Sequence, residues 1–554
     1  MDRKSAAKTL REIGRLLEVA GENPYRVRAF HGASRAVDRA EGDFEELVSS
    51  GRILDLKGVG KGTAAVLEDL VAGRRPQILA EMDEKIPAGV REILALPGLG
   101  PKKVRTIWQD LGVETPGELE YACRENRLAE LKGFGPASQA SVLESLVFHS
   151  GARERRLLHQ AWGIAEGLKR DLEERSEISS VRVAGELRRS SETVGEITLV
   201  VGLEDEADAG RVAGSLGVAE EVADGRWLSR PGEGIPVELW FVPPLGAVDA
   251  LIRATGSGDF VEALVLHAAE SRGRRDILQG ADEKAVFEGM GLPWIPPELR
   301  EGAERVVDAP ANGVPELVEP GDIRGVLHNH TTDSDGAASI EEMAAAAADR
   351  GWEFFGVADH SPAAFYANGV DAPRLQEQWS RADAWNAAHP GMRIVKGLEA
   401  DILPDGRLDV PDGCEEGLEY VVASVHSSFR LSEEDQTRRV IAGLSHPACR
   451  VLGHPTGRLL LARAGYAVDL DRVFEACLEH GVAVEINASP YRLDLDSQWA
   501  RRAIECGLKL IVNPDAHSVG GLDDVRWGLA VARRAGAKKE DLVNCMDIEE
   551  FLSR

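Results

Sequence analysis

The sequence predicts a multidomain chain of mixed class: an all-helical N-terminal region, an α+β core and a C-terminal α/β barrel. Three observations predict it. A Gly-x-Gly turn recurs three times within the first 150 residues, β-branched runs separated by turn residues fill the middle, and a strand–loop–helix pattern recurs seven times after Arg324. The length of 554 residues fits three or four domains. Hydrophobic residues at 43% and charged residues at 29% are ordinary for folded proteins and exclude a wholly disordered chain. No stretch of about 18 uncharged apolar residues occurs, so no membrane partner is expected, and MDRKSAAKTLREIGRLL lacks a signal-peptide core. Six cysteines without CxxC spacing exclude a zinc ribbon or disulfide scaffold and point to a reducing cytoplasm. The net charge of -28 argues against coating nucleic acid by bulk attraction. It is distributed unevenly: -1 over residues 1–150, -13 over 151–320 and -14 over 321–554. Any nucleic-acid contact is therefore expected in the near-neutral N-terminal part, made by backbone geometry.

The three turns are Gly58-Val59-Gly60 with Lys61, Gly98-Leu99-Gly100 with Lys102, and Gly133-Phe134-Gly135, each between an apolar residue and a helical stretch. One copy would read as a glycine-capped turn between packed helices. Three copies make an internal repeat. With the helix N-terminus that follows, the uncovered amides suit a DNA phosphate. The grammar resembles the helix-hairpin-helix motif, which holds DNA by its backbone.

Residues 151–307 predict a helix over 154–175 and strands over 180–184, 197–202 and 237–242. The Pro-rich stretch LPWIPPELR cannot form a helix interior. Residues 308–323, rich in Pro and Gly, read as a boundary linker ahead of a domain at 324–554.

In that last domain the expected strands end at 326–328, 357–360, 395–399, 422–426, 451–454, 482–487 and 510–515. Helices are expected over 339–350, 373–388, 433–445, 470–479 and 522–535. Seven such units fit a closed, mostly parallel barrel. Six histidines stand at or just beyond the C-terminal strand ends, the rim where barrel enzymes build sites. The donor set is His328, His330, Asp335, His360, Glu399, His426, His454, Asp515 and His517. Residues i and i+2 of a strand share a face, so His-x-His and Asp-x-His each offer two donors to one centre. Imidazole with carboxylate suits zinc, manganese or iron. His389, His446 and His480 lack strand-end placement and are left out.

The motifs HNHTTDSDG, ADHS, GLEADILPDGRLDVPD, SVHSS, GHPTGR, EINASPYRLDL and NPDAHS are similar, in order, to the PHP (polymerase and histidinol phosphatase) superfamily. They look most like the branch fused to bacterial family X DNA polymerases. The resemblance implies a distorted (β/α)7 barrel holding three divalent metals: one on His328, His330, Glu399 and Asp515, a second on Glu399, His426 and His454, a third on Asp335, His360 and His517. It implies phosphoester hydrolysis by metal-activated water, with His328, His330, Glu399 and Asp515 catalytic, and 3′–5′ exonuclease, 3′-phosphatase or abasic-site endonuclease activity, usually best with manganese. Arg458 and Arg492 are expected phosphate contacts.

The layout also resembles family X polymerases, with a nucleotidyltransferase-like palm and thumb over 151–307. That family's palm carries Gly-Ser-x-Arg-Arg, Asp-x-Asp and a third Asp. Here those positions read Gly185-Glu186-Leu187-Arg188-Arg189, Glu196-Ile197-Thr198 and Glu238. Thr198 replaces a charge that two metals need, so polymerase activity is expected to be absent or weak. Magnesium would serve only if it persisted. Glu196, Thr198 and Glu238 are then expected to be solvent-facing strand residues. The lysine of related lyases corresponds to Val66, which disfavours that chemistry.

The expectation is a monomeric, cytoplasmic DNA-repair phosphoesterase acting on gapped, abasic or 3′-end substrates. The alternatives are a small-molecule phosphatase of the histidinol-phosphatase type and an active polymerase despite the altered palm.

Overall fold

Short helices joined by glycine turns, with one apolar face each, can only bury that face against one another. The computed structural model describes residues 3–40, 44–149, 155–223, 225–230, 234–272, 278 and 280–553. It divides into two compact units, Met1–His149 and Ser150–Arg554. The boundary expected between 150 and 151 falls outside the described residues. In the first unit Leu10, Leu17, Leu67, Met82, Ile93, Ile107 and Leu119 form one core. The three turns share a positive-φ first glycine and one backbone hydrogen bond. Gly58, Gly98 and Gly133 take φ of 111°, 79° and 92°, a region closed to most side chains. In each, the amide between the glycines donates back to a leucine carbonyl: Val59 to Leu56, Leu99 to Leu96 and Phe134 to Leu131. Helices Lys61–Val71, Pro101–Leu111 and Pro136–His149 follow directly.

The second unit contains two large sheets and a two-stranded pair, Arg156–Leu157 with Thr193–Val194. Helix Leu158–Glu173 lies ahead of a five-stranded sheet in which Ile178–Ala184, Ile197–Leu203 and Val237–Val242 adjoin. These match the three expected strands. A hairpin of Val218–Ala223 and Arg226–Arg230 completes the sheet and was not anticipated, because its EEVADGRWLSR segment has little apolar alternation. The Pro-rich stretch forms only the 3-10 turn Pro297–Leu299.

The other sheet has seven parallel strands in sequential order: Gly325–Val326, Phe354–Val357, Arg393–Asp401, Tyr420–Ser424, Cys449–Leu452, Ala483–Asn487 and Leu510–Asn513. All are buried, as strands covered on both faces must be. Each intervening helix starts at a side-chain cap on a free amide: Ser339 on Glu342, Asp371 on Arg374, Ser432 on Asp435, Asp469 on Arg472 and Asp496 on Trp499. The Asp496 cap opens helix Ser497–Glu505, which sequence reasoning did not foresee. A loop, not a helix, connects Arg393–Asp401 to Tyr420–Ser424.

The sheet is nearly closed. Asn329 and Ala516 form a single parallel bridge, the His330 amide donates to Ala516 O at 2.9 Å, and the Leu327 amide donates to Asn513 Oδ1 at 2.8 Å. Closure thus occurs where the His-x-His and Asp-x-His segments leave their strands.

Residues 308–323 do not form the open linker expected. Ala309–Asn312 is helical, Leu317 and Val318 are buried, and the Val318 amide donates to Ala537 O at 3.0 Å. Leu158, Leu172, Val201 and Leu239 of the first sheet's layer share one apolar core with Val357, Val484 and Val512 of the barrel. Among the described residues, no helix is long and apolar enough to cross a membrane.

Candidate metal centre

Buried polar atoms are costly unless something satisfies them. At the C-terminal mouth of the barrel such atoms accumulate. All nine expected donors meet there. His328, His330, His360 and His454 are almost fully buried, as are Glu399, Asp335, Asp515 and His517. Glu399 is central. Its Oε1 lies 3.3 Å from His328 Nε2, 3.3 Å from His426 Nε2 and 3.0 Å from His454 Nε2. Its Oε2 lies 2.8 Å from His360 Nδ1 and 3.7 Å from His330 Nε2. Asp515 Oδ1 is 3.0 Å from His330 Nε2 and 3.5 Å from His328 Nε2, and Asp335 Oδ1 is 3.4 Å from His517 Nε2. Ligand atoms of three groups fall within 4.8 Å of one another: His330, Asp335, His360 and His517; His328, His330 and Asp515; His360, Glu399 and His426. All three differ from the expected sets: two take in His330 or His360, whose rings stack 4.4 Å apart, the set of His328, His330 and Asp515 lacks Glu399, and His454 falls in none of the three.

The donors fit divalent cations. His328 Nε2, His330 Nδ1, both nitrogens of His360, His426 Nε2 and Glu399 Oε2 are buried and make no hydrogen bond. The opposite edges of several rings are engaged, which fixes the tautomer and turns the bare nitrogen inward. His328 Nδ1 lies 2.7 Å from Glu485 Oε2, His426 Nδ1 lies 2.7 Å from Asp401 Oδ1, and His517 Nδ1 lies 2.9 Å from the Asp515 carbonyl. Glu485 was not singled out from the sequence. It also accepts from the His454 amide at 3.0 Å, from Asn487 at 2.9 Å and from Asn513 at 3.0 Å. His454 and Asp515 hold positive φ of 23° and 53°, strained for these residue types and kept so by their surroundings.

Protonation suits metal binding. Burial, then His517 and His360, lowers His330 to about 3. Burial, then Arg492, lowers His454 to about 4. Burial opposes the charge on Glu399, but His426 and His328 outweigh it and hold the carboxyl well below its usual range. Asp515 is held low by His328 and His330 against the same opposition. His426 goes the other way: burial disfavours its proton, yet Glu399 and Asp401 raise it to about 9. The negative charge that draws a proton there also draws a cation.

The two arginines part company. Arg492 is buried, with Nε 4.0 Å from Asp515 Oδ2. The Arg458 guanidinium donates to the carbonyls of Arg492 (3.1 Å) and Leu493, pairs with Glu192 at 3.1 Å and lies 3.6 Å from Asp496.

The palm contrasts with this. Glu186 accepts from Arg155 at 3.1 Å and from the Gly195 amide at 2.8 Å. Glu238 accepts from Arg226 Nε at 3.0 Å. Arg188 forms a two-pronged pair with Glu283 at 2.9 and 2.7 Å. Thr198 lies between Ala184 and Glu238 in the sheet. The expectation that Thr198 and Glu238 face solvent is corrected: they are 5% and 8% exposed. The cause for Thr198 is Gly185 (φ 63°), packed so closely that a Cβ there would lie 2.6 Å from Thr198 Oγ1. Glu196, just ahead of the strand, is half-buried. In the first unit Lys61 and Lys102 are exposed, Val66 is buried, and a Cβ on Gly60, Gly98, Gly100, Gly133 or Gly135 would meet nothing within 4 Å.

Comparison with known proteins gives the same order of parts. Residues 1–76 match a helix-hairpin-helix domain, 90–146 a SAM-like helix-hairpin-helix tandem, 250–301 the DNA polymerase beta thumb and 327–489 the PHP domain. A DNA polymerase/3′-5′ exonuclease PolX from Bacillus subtilis is 33% identical over 575 residues, covering 100% of both chains. A probable phosphatase from Thermoanaerobacter sp. is 30% identical over 241 residues, 41% of this chain and 92% of the relative. A probable phosphatase from Caldanaerobacter subterraneus is 30% identical over 218 residues, 36% of this chain and 78% of the relative. With its helix-hairpin-helix, thumb and PHP parts in sequence and a relative matched from end to end, the chain belongs to the family X DNA polymerases that carry a C-terminal PHP domain.

Proposed function

We propose that the barrel is a metal-dependent phosphoesterase acting on DNA at 3′ ends or abasic sites, and that the palm has lost polymerase activity. One observation carries the reading: buried imidazole nitrogens without hydrogen bonds converge on the two oxygens of Glu399. The nine donors would hold up to three cations of manganese, zinc or iron, with Glu399 shared. Such cations supply Lewis acidity toward phosphoryl oxygens and neutralise charge developing on them. The protein's own contribution is orientation. Glu485 and Asp401 hold His328 and His426 with Nε2 facing inward, and the buried Arg492 offers a cation to a non-bridging phosphate oxygen.

DNA is favoured as the substrate by the three hairpins, where a Cβ at Gly60, Gly98, Gly100, Gly133 or Gly135 would meet nothing within 4 Å, so that no side chain keeps a phosphate from the turn and the helix start behind it. The PolX relative is named a 3′-5′ exonuclease as well as a polymerase. Loss of polymerisation is supported by the palm's own pairing. Arg226 already neutralises Glu238, Arg155 neutralises Glu186, and Thr198 brings no charge. A DNA-repair role in the reducing cytoplasm follows from such a substrate and from six free cysteines, four of them buried.

A second reading, a small-molecule phosphatase, is favoured by relatives named probable phosphatases that match only the barrel. Incubation with manganese and either 3′-labelled DNA or histidinol phosphate separates the two. Release of nucleotides from DNA is expected, with far less phosphate from histidinol phosphate; the reverse order favours the second reading. Primer extension with magnesium or manganese is expected to yield no product, and robust incorporation overturns the loss of polymerase activity.

A further inference from the structure

An ion pair runs from the palm to the barrel mouth and ends beside the metal centre. Glu192 lies between the GELRR turn and the strand Ile197–Leu203, and its Oε2 is 3.1 Å from Arg458 Nη2. Its Oε1 accepts from the Ser497 amide at 3.4 Å. The same Nη2 donates to the Leu493 carbonyl, Nε donates to the Arg492 carbonyl at 3.1 Å, and Nη1 lies 3.6 Å from Asp496 Oδ2. Leu493 needs the holding, since a branched side chain at φ 42° is strained. The next residue toward the centre is Arg492, buried and 4.0 Å from Asp515. Arg458 and Glu192 are half-buried, at 16% and 20% exposed, and Arg492 is buried.

We infer that Glu192 is a positioning residue for the phosphoesterase centre: through Arg458 it fixes the backbone of Arg492 and Leu493, and so the guanidinium that meets the phosphate. A palm with no polymerase activity of its own thereby retains a role as part of the barrel's wall. The inference rests on the phosphoesterase reading above.

The test uses the full chain with manganese and bis(4-nitrophenyl) phosphate, which removes DNA binding from the readout. Glu192→Gln, Arg458→Gln, Arg492→Ala and the pairwise combinations are compared, with thermal melting as the check on folding. Glu192→Gln is expected to raise KM about tenfold with little change in kcat, as Arg492→Ala does more strongly. In the Arg492→Ala background Glu192→Gln is expected to add nothing, because residues acting as one unit are not additive. A general loosening of the fold would add in both backgrounds. If Arg458→Gln does not fold, the Glu192→Gln and Arg492→Ala pair still decides. Wild-type kinetics in Glu192→Gln, or equal losses in the two backgrounds, overturns the inference alone. No hydrolysis by wild type overturns it together with the phosphoesterase reading.

Discussion

The barrel mouth gathers carboxylates at strand ends, the palm and thumb carry Glu238 on a strand and Glu186 and Glu283 on helices, and the two regions treat them in opposite ways. Around Glu399 the neighbours are imidazoles, and the nitrogens that His328, His360 and His426 turn toward it have no hydrogen-bond partner. Around Glu238, Glu186 and Glu283 the neighbours are arginines: Arg226, Arg155, Arg188 and Arg300. An arginine cannot give up its proton and fills the place a metal would take. A neutral imidazole offers a lone pair and leaves the carboxylate's charge for a cation. The same acidic residue type is thus placed to serve a cation in one region and is half of a structural ion pair in the other. What distinguishes them is the partner, not the acid.

The sharpest way to break that contrast is Glu399→Gln, which keeps the shape and removes the charge shared by five imidazoles. Hydrolysis of a phosphodiester with manganese is expected to fall by about 10³-fold or more. Bound metal, measured by elemental analysis after gel filtration, should fall with it. His330→Ala, which removes the ring between two donor groups, should act in the same direction. Unchanged hydrolysis in both variants would take the chemistry away from the barrel.

The palm side is probed by Glu283. Arg188 and the fully buried Arg300 both depend on it, Arg300 Nη1 at 2.6 Å. Glu283→Gln leaves two guanidinium groups short of a counter-charge, a loss of about 3 kcal/mol in stability against urea. Burial would raise the Glu283 pKa, but hydrogen bonds from Arg188 and Arg300 outweigh it and bring the carboxyl from 4.5 to about 2. A folded-state pKa below the unfolded value makes this stability fully present above pH 4.5 and lost as pH falls toward about 2. The variant should therefore show a shallower loss of stability over that window than wild type. Equal slopes would mean that the triad is not coupled to folding.

The barrel was legible because its signal is positional. A buried parallel strand is a short apolar run, and a histidine at its C-terminal end interrupts that run at a fixed place, so seven strands and nine donors could be read together. Glu485 was missed for the same reason. It sits in the middle of Ala483–Asn487, where the residue order carries no sign that a fully buried carboxylate faces His328. Arg458 follows a ligand in sequence but turns to Glu192, a partner 266 positions away that no local pattern reveals. The palm's pairings were illegible too: Arg226 lies on the unanticipated hairpin opposite Trp240, and its side chain reaches diagonally to Glu238.

Glu485 offers a smaller and more discriminating test of the barrel. It touches no expected cation position and acts by holding His328 Nδ1. Glu485→Gln keeps the hydrogen-bonding shape but lowers the basicity of the ring. Metal affinity is expected to drop by about 10–100-fold, read by competition with a chelating dye, while saturating manganese restores most of the hydrolysis. Loss that excess metal does not restore would place Glu485 in the chemistry itself.

The smallest effects are expected at the hairpins, where recognition is shared among backbone amides that no side-chain substitution removes. Lys61 and Lys102 open the helices after the first and second turns and are exposed, whereas Pro136 and Ala137 at the third carry no charge. If each lysine meets one phosphate, Lys61→Ala and Lys102→Ala should each weaken DNA binding a few-fold and reduce the dependence of log K on log salt by about 1. The loss should be the same for unrelated DNA sequences, since phosphate contacts carry no base information. Hydrolysis of bis(4-nitrophenyl) phosphate should not change, because that substrate offers the hairpins no backbone to hold. A salt slope unaltered in the double variant would remove the two lysines from the DNA interface and leave any hold on DNA there to the glycine amides.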